Sequence, residues 1–191
     1  MGLMDAILGR RKQAKPNLDQ LFAVPSAAVT LQVSGGFRPT GVGSVCYRAN
    51  EGAAFATMQD DVQRLLDADN GPAVERVTDS FGFTWLVCRQ EPEAVSDLVT
   101  ELHAVNRALE DAGFGSSLLC SLVVFEDGDG RRLGLVYLYK QGTFYPFAPA
   151  GGGREQRDNA LELQMRGLLA NDLTVESDLS RWMAIWGAPG L

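Results

Sequence analysis

The sequence predicts an α+β fold: one antiparallel β-sheet of about five to seven strands packed with helices, preceded by a short amphipathic N-terminal segment. Three observations carry that expectation. Apolar runs at 118–125 and 133–139 flank Asp127-Gly128-Asp129-Gly130, a hairpin signature, because Asp and Gly accept the positive φ of tight turns. Val95, Leu98, Val99, Leu102, Val105 and Leu109 repeat at helical spacing. Finally, no strand runs into a Gly-rich turn that opens a helix, so a parallel, doubly wound sheet is not indicated. A chain of 191 residues fits one domain, here 17–191, with 1–16 as N-terminal segment and linker.

Taken in order, Asn17 is placed to cap a helix starting at Leu18, with Leu21 and Phe22 on its inner side and Pro25 ending the turn. Val29, Leu31 and Val33 alternate with Thr30 and Gln32, a strand pattern broken by Gly35-Gly36. A second strand is expected at 44–48. Phe55, Met58, Val62, Leu65 and Leu66 form a helical stripe stopped by Asn70-Gly71-Pro72. Two short strands follow at 74–78 and 83–89. The long helix comes next, with Pro92 in its first turn and Gly113 after its end. The strand 133–139 is apolar on both sides, which predicts a position covered on both faces. An edge strand at 143–147 tolerates Pro146. Gly151-Gly152-Gly153 reads as a hinge, Leu161, Met165, Leu168 and Leu169 as a helix, and Leu179, Trp182, Met183 and Trp186 as a last helix.

Charge is unevenly spread. The formal net charge is −7. Residues 1–15 hold Arg10, Arg11, Lys12 and Lys15 against Asp5 alone, a surplus of three cations, so the remainder carries −10. An acidic body is a poor partner for nucleic acid, whose affinity comes from clustered Lys and Arg. The N-terminal tip is different. Met1, Met4 and Leu8 share a helical face, Leu3 and Ile7 lie beside them, and the cations follow at once. That pattern suits docking on an anionic membrane surface or in a groove of a partner; its alternative is a helix folded back on its own domain.

The tip is not a secretory signal, because its charge follows a very short apolar run. Ala6 stands where a myristoylation motif needs Ser or Thr. The longest apolar run, 118–125, is far short of a membrane span. Cys46, Cys88 and Cys120 are odd in number, widely spaced and free of any CxxC, which predicts reduced core thiols in a cytoplasmic protein.

Little in the chain points to catalysis. His103, the sole histidine, lies beside the apolar stripe of the long helix, and no motif ties a nucleophile to it; a hydrolase would need one within reach. One His and three scattered Cys lack metal-ligand spacing, and no cofactor or metal is expected. Arg131 and Arg132 interrupt any calcium-loop reading of 126–130, which is expected to be a hairpin turn. Trp182 and Trp186 share a face near the C-terminus. They either seal the core or form a secondary partner anchor, since Trp is enriched in binding hot spots.

Two resemblances follow. In element order, residues 53–169 resemble the secretion-chaperone-like α/β fold, which implies a protein-binding module as an alternative function. More specifically, MGLMDAILGRRKQAKPNLDQLFAVPSAAVTLQ, GVGSVCYRANEGAAF and ESDLSRWMAIWG resemble the PspA-associated (PspAB-type) proteins of actinobacteria and some archaea, nearly end to end from Met1 to Gly187. The resemblance implies a non-enzymatic accessory or adaptor role beside PspA, a membrane-remodelling protein of the envelope-stress (phage-shock) response. It carries no catalytic residues across. The expected partners are a PspA-like protein and, peripherally, the anionic inner face of the membrane. The expected docking residues are Met1, Leu3, Met4, Ile7, Leu8, Arg10, Arg11, Lys12 and Lys15.

Overall fold

The computed structural model describes residues 16–49, 53–68, 73–152 and 155–191, with the side chains at 53–55 and 58 left aside. Six strands form one antiparallel sheet in the order β2-β3-β1-β4-β5-β6: β1 Arg38–Arg48, β2 Glu75–Thr78, β3 Phe83–Arg89, β4 Leu118–Glu126, β5 Arg132–Leu138 and β6 Thr143–Phe147. The α-helices are α1 Val24–Thr30, α2 Ala53–Asp67, α3 Val95–Asp111 and α4 Asn159–Leu169. The expected α+β architecture is therefore observed.

Alternation along the strands divides the core in two. Val45 and Tyr47 of β1, Val123 and Phe125 of β4, and Leu135 and Tyr137 of β5 point to one face, where they meet Leu98, Leu102 and Leu109 of α3 and Met165 of α4. Cys46, Trp85, Cys120, Leu122, Val136, Leu138, Tyr145 and Phe147 point to the other, where Trp182, Ile185 and Ala188 cover them. The strand 133–139 is thus buried on both faces, as its composition predicts.

Several elements form for readable reasons. The end of α3 is a Schellman motif: Gly113 takes φ 89°, its N–H donates to the Glu110 carbonyl, and the Phe114 N–H donates to the Leu109 carbonyl. The Asp158 side chain caps α4 by accepting from the Leu161 N–H at 2.9 Å. In the β4–β5 hairpin, Asp127 accepts from the Asp129 and Arg131 N–H groups and from the Arg131 guanidinium, so both carboxylate oxygens are spent on the turn.

Four expectations need correction. The segment 29–33 is not a strand: residues 18–35 are helical throughout, as a 3-10 turn (Leu18–Ala23), α1 and a π turn (Leu31–Gly35). Val24, Ala27, Ala28 and Leu31 are the buried set, whereas Val29 and Val33 are 62% and 81% exposed. The i, i+3, i+4, i+7 pattern wins over the alternation that Val29, Leu31 and Val33 happen to show. Pro25 accordingly begins α1, where a missing N–H costs nothing, instead of ending a turn. Asn17 caps nothing with its side chain; its carbonyl accepts from Tyr137 Oη at 2.8 Å.

At the far end, 179–186 is not a helix, because only Leu179–Arg181 forms a 3-10 turn. Backbone carbonyls there are taken by side chains of the sheet and of Arg157, as described below. Smaller differences concern β1, which extends back to Arg38 from the expected 44–48, and Pro92, which precedes α3 by a turn.

The bulge in β1 explains its unexpected length. Register against β4 shifts between Pro39 and Gly43, and Gly41 sits at φ 76°. Thr40 Oγ1 satisfies the bulge by donating to the Val124 carbonyl at 2.9 Å. A Cβ on Gly41 would lie 2.0 Å from the Gln90 carbonyl oxygen, whereas one on Gly82, at φ 82°, would meet nothing within 4 Å. Gly41→Ala therefore combines left-handed strain with a backbone clash and should cost about 3 kcal/mol or more, whereas Gly82→Ala should cost about 1 kcal/mol. In thermal melts the midpoints should fall by about 6–12 °C and 2–4 °C respectively. Equal shifts would show that the clash is absorbed.

Candidate functional site

The tail that covers the second sheet face has almost no regular structure, so side chains must hold it. Residues 174–176 run beside β6: the Phe144 N–H donates to the Thr174 carbonyl at 2.9 Å, and the Glu176 N–H to the Phe144 carbonyl at 2.7 Å. Glu176 is buried and fully engaged. Its carboxylate accepts from Thr143 Oγ1 and the Asp178 N–H, each at 2.9 Å, and faces Arg181 at 3.5 Å. Its carbonyl accepts from Trp182 Nε1 at 3.1 Å.

A second clamp comes from α4. Glu162, 2% exposed, accepts from the Ala148 N–H and Arg157 Nε, each at 2.9 Å. Arg157 Nη1 then donates to the Trp182 carbonyl at 2.6 Å, and its guanidinium lies 5.0 Å over the Phe147 ring. Tyr145 Oη donates to the Met183 carbonyl at 2.9 Å. Trp182 stacks on Tyr145 at 5.7 Å between centroids, and Trp186 meets Phe147 edge-on at 4.9 Å. Trp182 is 6% exposed and belongs to the second core; Trp186 is half-buried.

Between this tail and the sheet lies a cavity of about 420 Å³. Its floor is Cys46, Trp85, Cys120, Leu138 and Tyr145, and its roof runs from Ser180 to Trp186. Asp79, Lys140, Gln141 and Arg181 contribute the polar edge. The volume and the mainly apolar wall are those of a small-molecule pocket. Sequence reading missed it, since its walls come from five strands, two turns and the tail. No local pattern marks it; the apolar second face of 133–139 says only that a cover is needed.

Two cysteines stand at the floor, and the surroundings of Cys46 disfavour its thiolate. Cys46 and Cys120 face each other across β1 and β4. The neighbouring Cys120 thiol and burial push Cys46 far above the ordinary thiol range. Burial, then Glu101, does the same to Cys88 on the other face. A thiolate is the nucleophile, and these environments disfavour it. All three cysteines are free and buried.

His103 lies on the helix side, away from the cavity. Its ring is 4.9 Å from Phe22, and Nε2 is 3.5 Å from Asp19 without hydrogen-bond geometry. Among the described residues no group of three or more His, Cys, Asp or Glu side chains could hold a metal ion. Nor is any helix among them long and apolar enough to cross a membrane. The docking candidates Met1, Leu3, Met4, Ile7, Leu8, Arg10, Arg11, Lys12 and Lys15 lie outside the described residues, as does Gly153 of the expected hinge.

The described residues form a single-sheet α+β domain with a ligand-sized, mainly apolar pocket on one sheet face. The chain belongs to the family described as PspA associated protein B, which matches residues 1–190. No curated protein and no solved structure matches it.

Two measurements test this geometry. Removing Glu162 strands Arg157 in a buried site, which costs about 3–5 kcal/mol. Glu162→Ala should therefore lower the thermal midpoint by about 10 °C or more. Asp61→Ala, which breaks an exposed pair with Arg64, should change it by less than about 2 °C.

Second, all four tyrosines resist ionisation. Burial raises Tyr47, Tyr145 and Tyr137, the last pushed up to about 12, and burial with the Glu110 carboxylate raises Tyr139. The folded state thus keeps phenolic protons that the unfolded state releases near pH 10. Stability from this source is fully present below pH 10 and lost as pH rises towards 12. Tyrosinate absorbance at 295 nm should stay low at pH 10.5 and rise together with unfolding. Four tyrosines titrating near pH 10 in folded protein would contradict the burial.

Proposed function

We propose that this protein is a non-catalytic accessory factor of a PspA system in envelope stress, working in the cytoplasm and docking through residues 1–15 onto PspA or the anionic membrane surface beside it. The observation that carries the reading is the segregation of charge: a cationic, apolar tip on a body of net −10. An anionic surface repels the body and attracts the tip, so contact is both weak and oriented. Met1, Leu3, Met4, Ile7 and Leu8 supply apolar burial of several kcal/mol gross, at about 25 cal/mol per Å². Ordering the segment offsets much of this, which gives reversible association. Arg10, Arg11, Lys12 and Lys15 add about 1 kcal/mol each near an anionic leaflet. Family membership supports PspA as the partner system.

The test is co-sedimentation with anionic vesicles and capture by purified PspA. Deleting residues 1–15 should abolish association and lower the thermal midpoint by less than about 8 °C, since the core described above lies downstream. Ile7→Asp with Leu8→Asp should weaken binding at every salt concentration. Arg10→Gln, Arg11→Gln and Lys12→Gln together should weaken it by about two orders of magnitude at low ionic strength and far less at high salt, because exposed charges are screened. Unchanged vesicle binding and PspA capture in all three variants would overturn the proposal.

A further inference from the structure

The tail-side cavity has a mouth as well as a floor, and the two differ in chemistry. Phe81 and Met183 stand at its walls, 54% and 53% exposed, and form an apolar lip. Large apolar side chains left in water beside a pocket mark a place where an apolar ligand enters. Three charged residues reach the edge, and two are already committed. Asp79 accepts from the Phe81 and Phe83 N–H groups through one oxygen and from Trp85 Nε1 at 2.8 Å through the other. Arg181 faces Glu176 at 3.5 Å and Asp178 at 3.7 Å. Lys140 differs: its exposed ammonium donates to the Ser116 carbonyl at 2.8 Å, and two of its three donors remain for a ligand.

We propose that this cavity binds a free fatty acid, with the alkyl chain on Trp85, Cys120, Leu138 and Ile185 and the carboxylate at Lys140. A cavity of about 420 Å³ takes a single alkyl chain and has no room for the second chain of a membrane phospholipid. Among the described residues at the edge, Lys140 is the cation that faces no carboxylate, and it matches one carboxylate of a ligand. The buried thiols of Cys46 and Cys120 act in this floor as small apolar side chains. The inference stands independently of N-terminal docking, since its test contains neither PspA nor vesicles.

The experiment titrates the purified full-length chain with dodecanoate below its micelle concentration. Binding is read from indole fluorescence, because Trp85 and Trp186 line the cavity, and from displacement of cis-parinaric acid, a fluorescent fatty acid. Saturable one-to-one binding is expected, with dodecanol weaker than dodecanoate. Lys140→Gln, at an exposed position, should weaken dodecanoate about fivefold and leave dodecanol unchanged. Ala184→Trp, at an exposed position of the wall, should fill the cavity and abolish both, while the far-UV circular dichroism spectrum is retained. Absence of saturation in the native chain overturns the proposal. So does full binding in both variants, or equal affinity for dodecanol and dodecanoate. Displacement by lysophosphatidylglycerol at tenfold lower concentration than dodecanoate would reassign the site to a lysolipid and overturn the fatty-acid reading.

Discussion

A sheet with apolar side chains on both faces must be covered twice, and the arrangement of the described helices and tail answers to that requirement. Helices α1, α3 and α4 cover one face, with Val99 and Leu102 wholly buried against it. Among the described residues no helix covers the other. Its cover is the segment after α4, in which only a 3-10 turn is regular. Such a cover gains little from its own backbone hydrogen bonds and must be fastened from outside. Glu162 and Glu176 do this, two carboxylates held in the interior because each finds a guanidinium and backbone N–H donors there. Burying a carboxylate is expensive unless its oxygens are satisfied, so both acids also fix where the tail lies.

Imperfect cover has its own result. A helix laid on the sheet would fill the groove with a regular row of side chains, as α3 does. The irregular tail fills it only in part, at Trp182 and Ile185, and leaves an opening beside Cys46 and Cys120. The pocket is thus a by-product of the way the second face is closed.

The elements legible in the sequence are those whose pattern is set by one dominant environment. The α3 stripe faces a single continuous core, and β5 reads as covered on both faces because it is. The 126–130 turn is legible since Asp127, Gly128 and Gly130 suit a turn and little else. The segment 29–33 misleads because both periods fit five residues; only Val24, Ala27 and Ala28 upstream break the tie, and Pro25 masks them by resembling a stop. The terminal segment misleads in the opposite sense. Leu179, Trp182 and Trp186 keep helical spacing, yet Tyr145 and Arg157 take the Met183 and Trp182 carbonyls that a helix would use internally. Tertiary hydrogen bonds override local periodicity there. The cavity was illegible altogether, because no local pattern encodes a space between distant segments.

The order in which the chain is made gives the tail a further consequence. Synthesis runs from the N-terminus, so every strand leaves the ribosome before the segment that covers its second face. Once β6 emerges, the six strands can pair and α3 can dock, but Trp85, Leu122, Val136 and Phe147 still look out on solvent. Chain order therefore supplies α1 and α3 for one face before the sheet is complete and leaves the other face bare until the tail arrives. That bare face is broad and apolar, with β-strands beneath, the kind of surface that chaperones hold and that associates between nascent chains. Closure of the tail, fastened by the Glu162 and Glu176 clamps, is what takes that apolar face out of water.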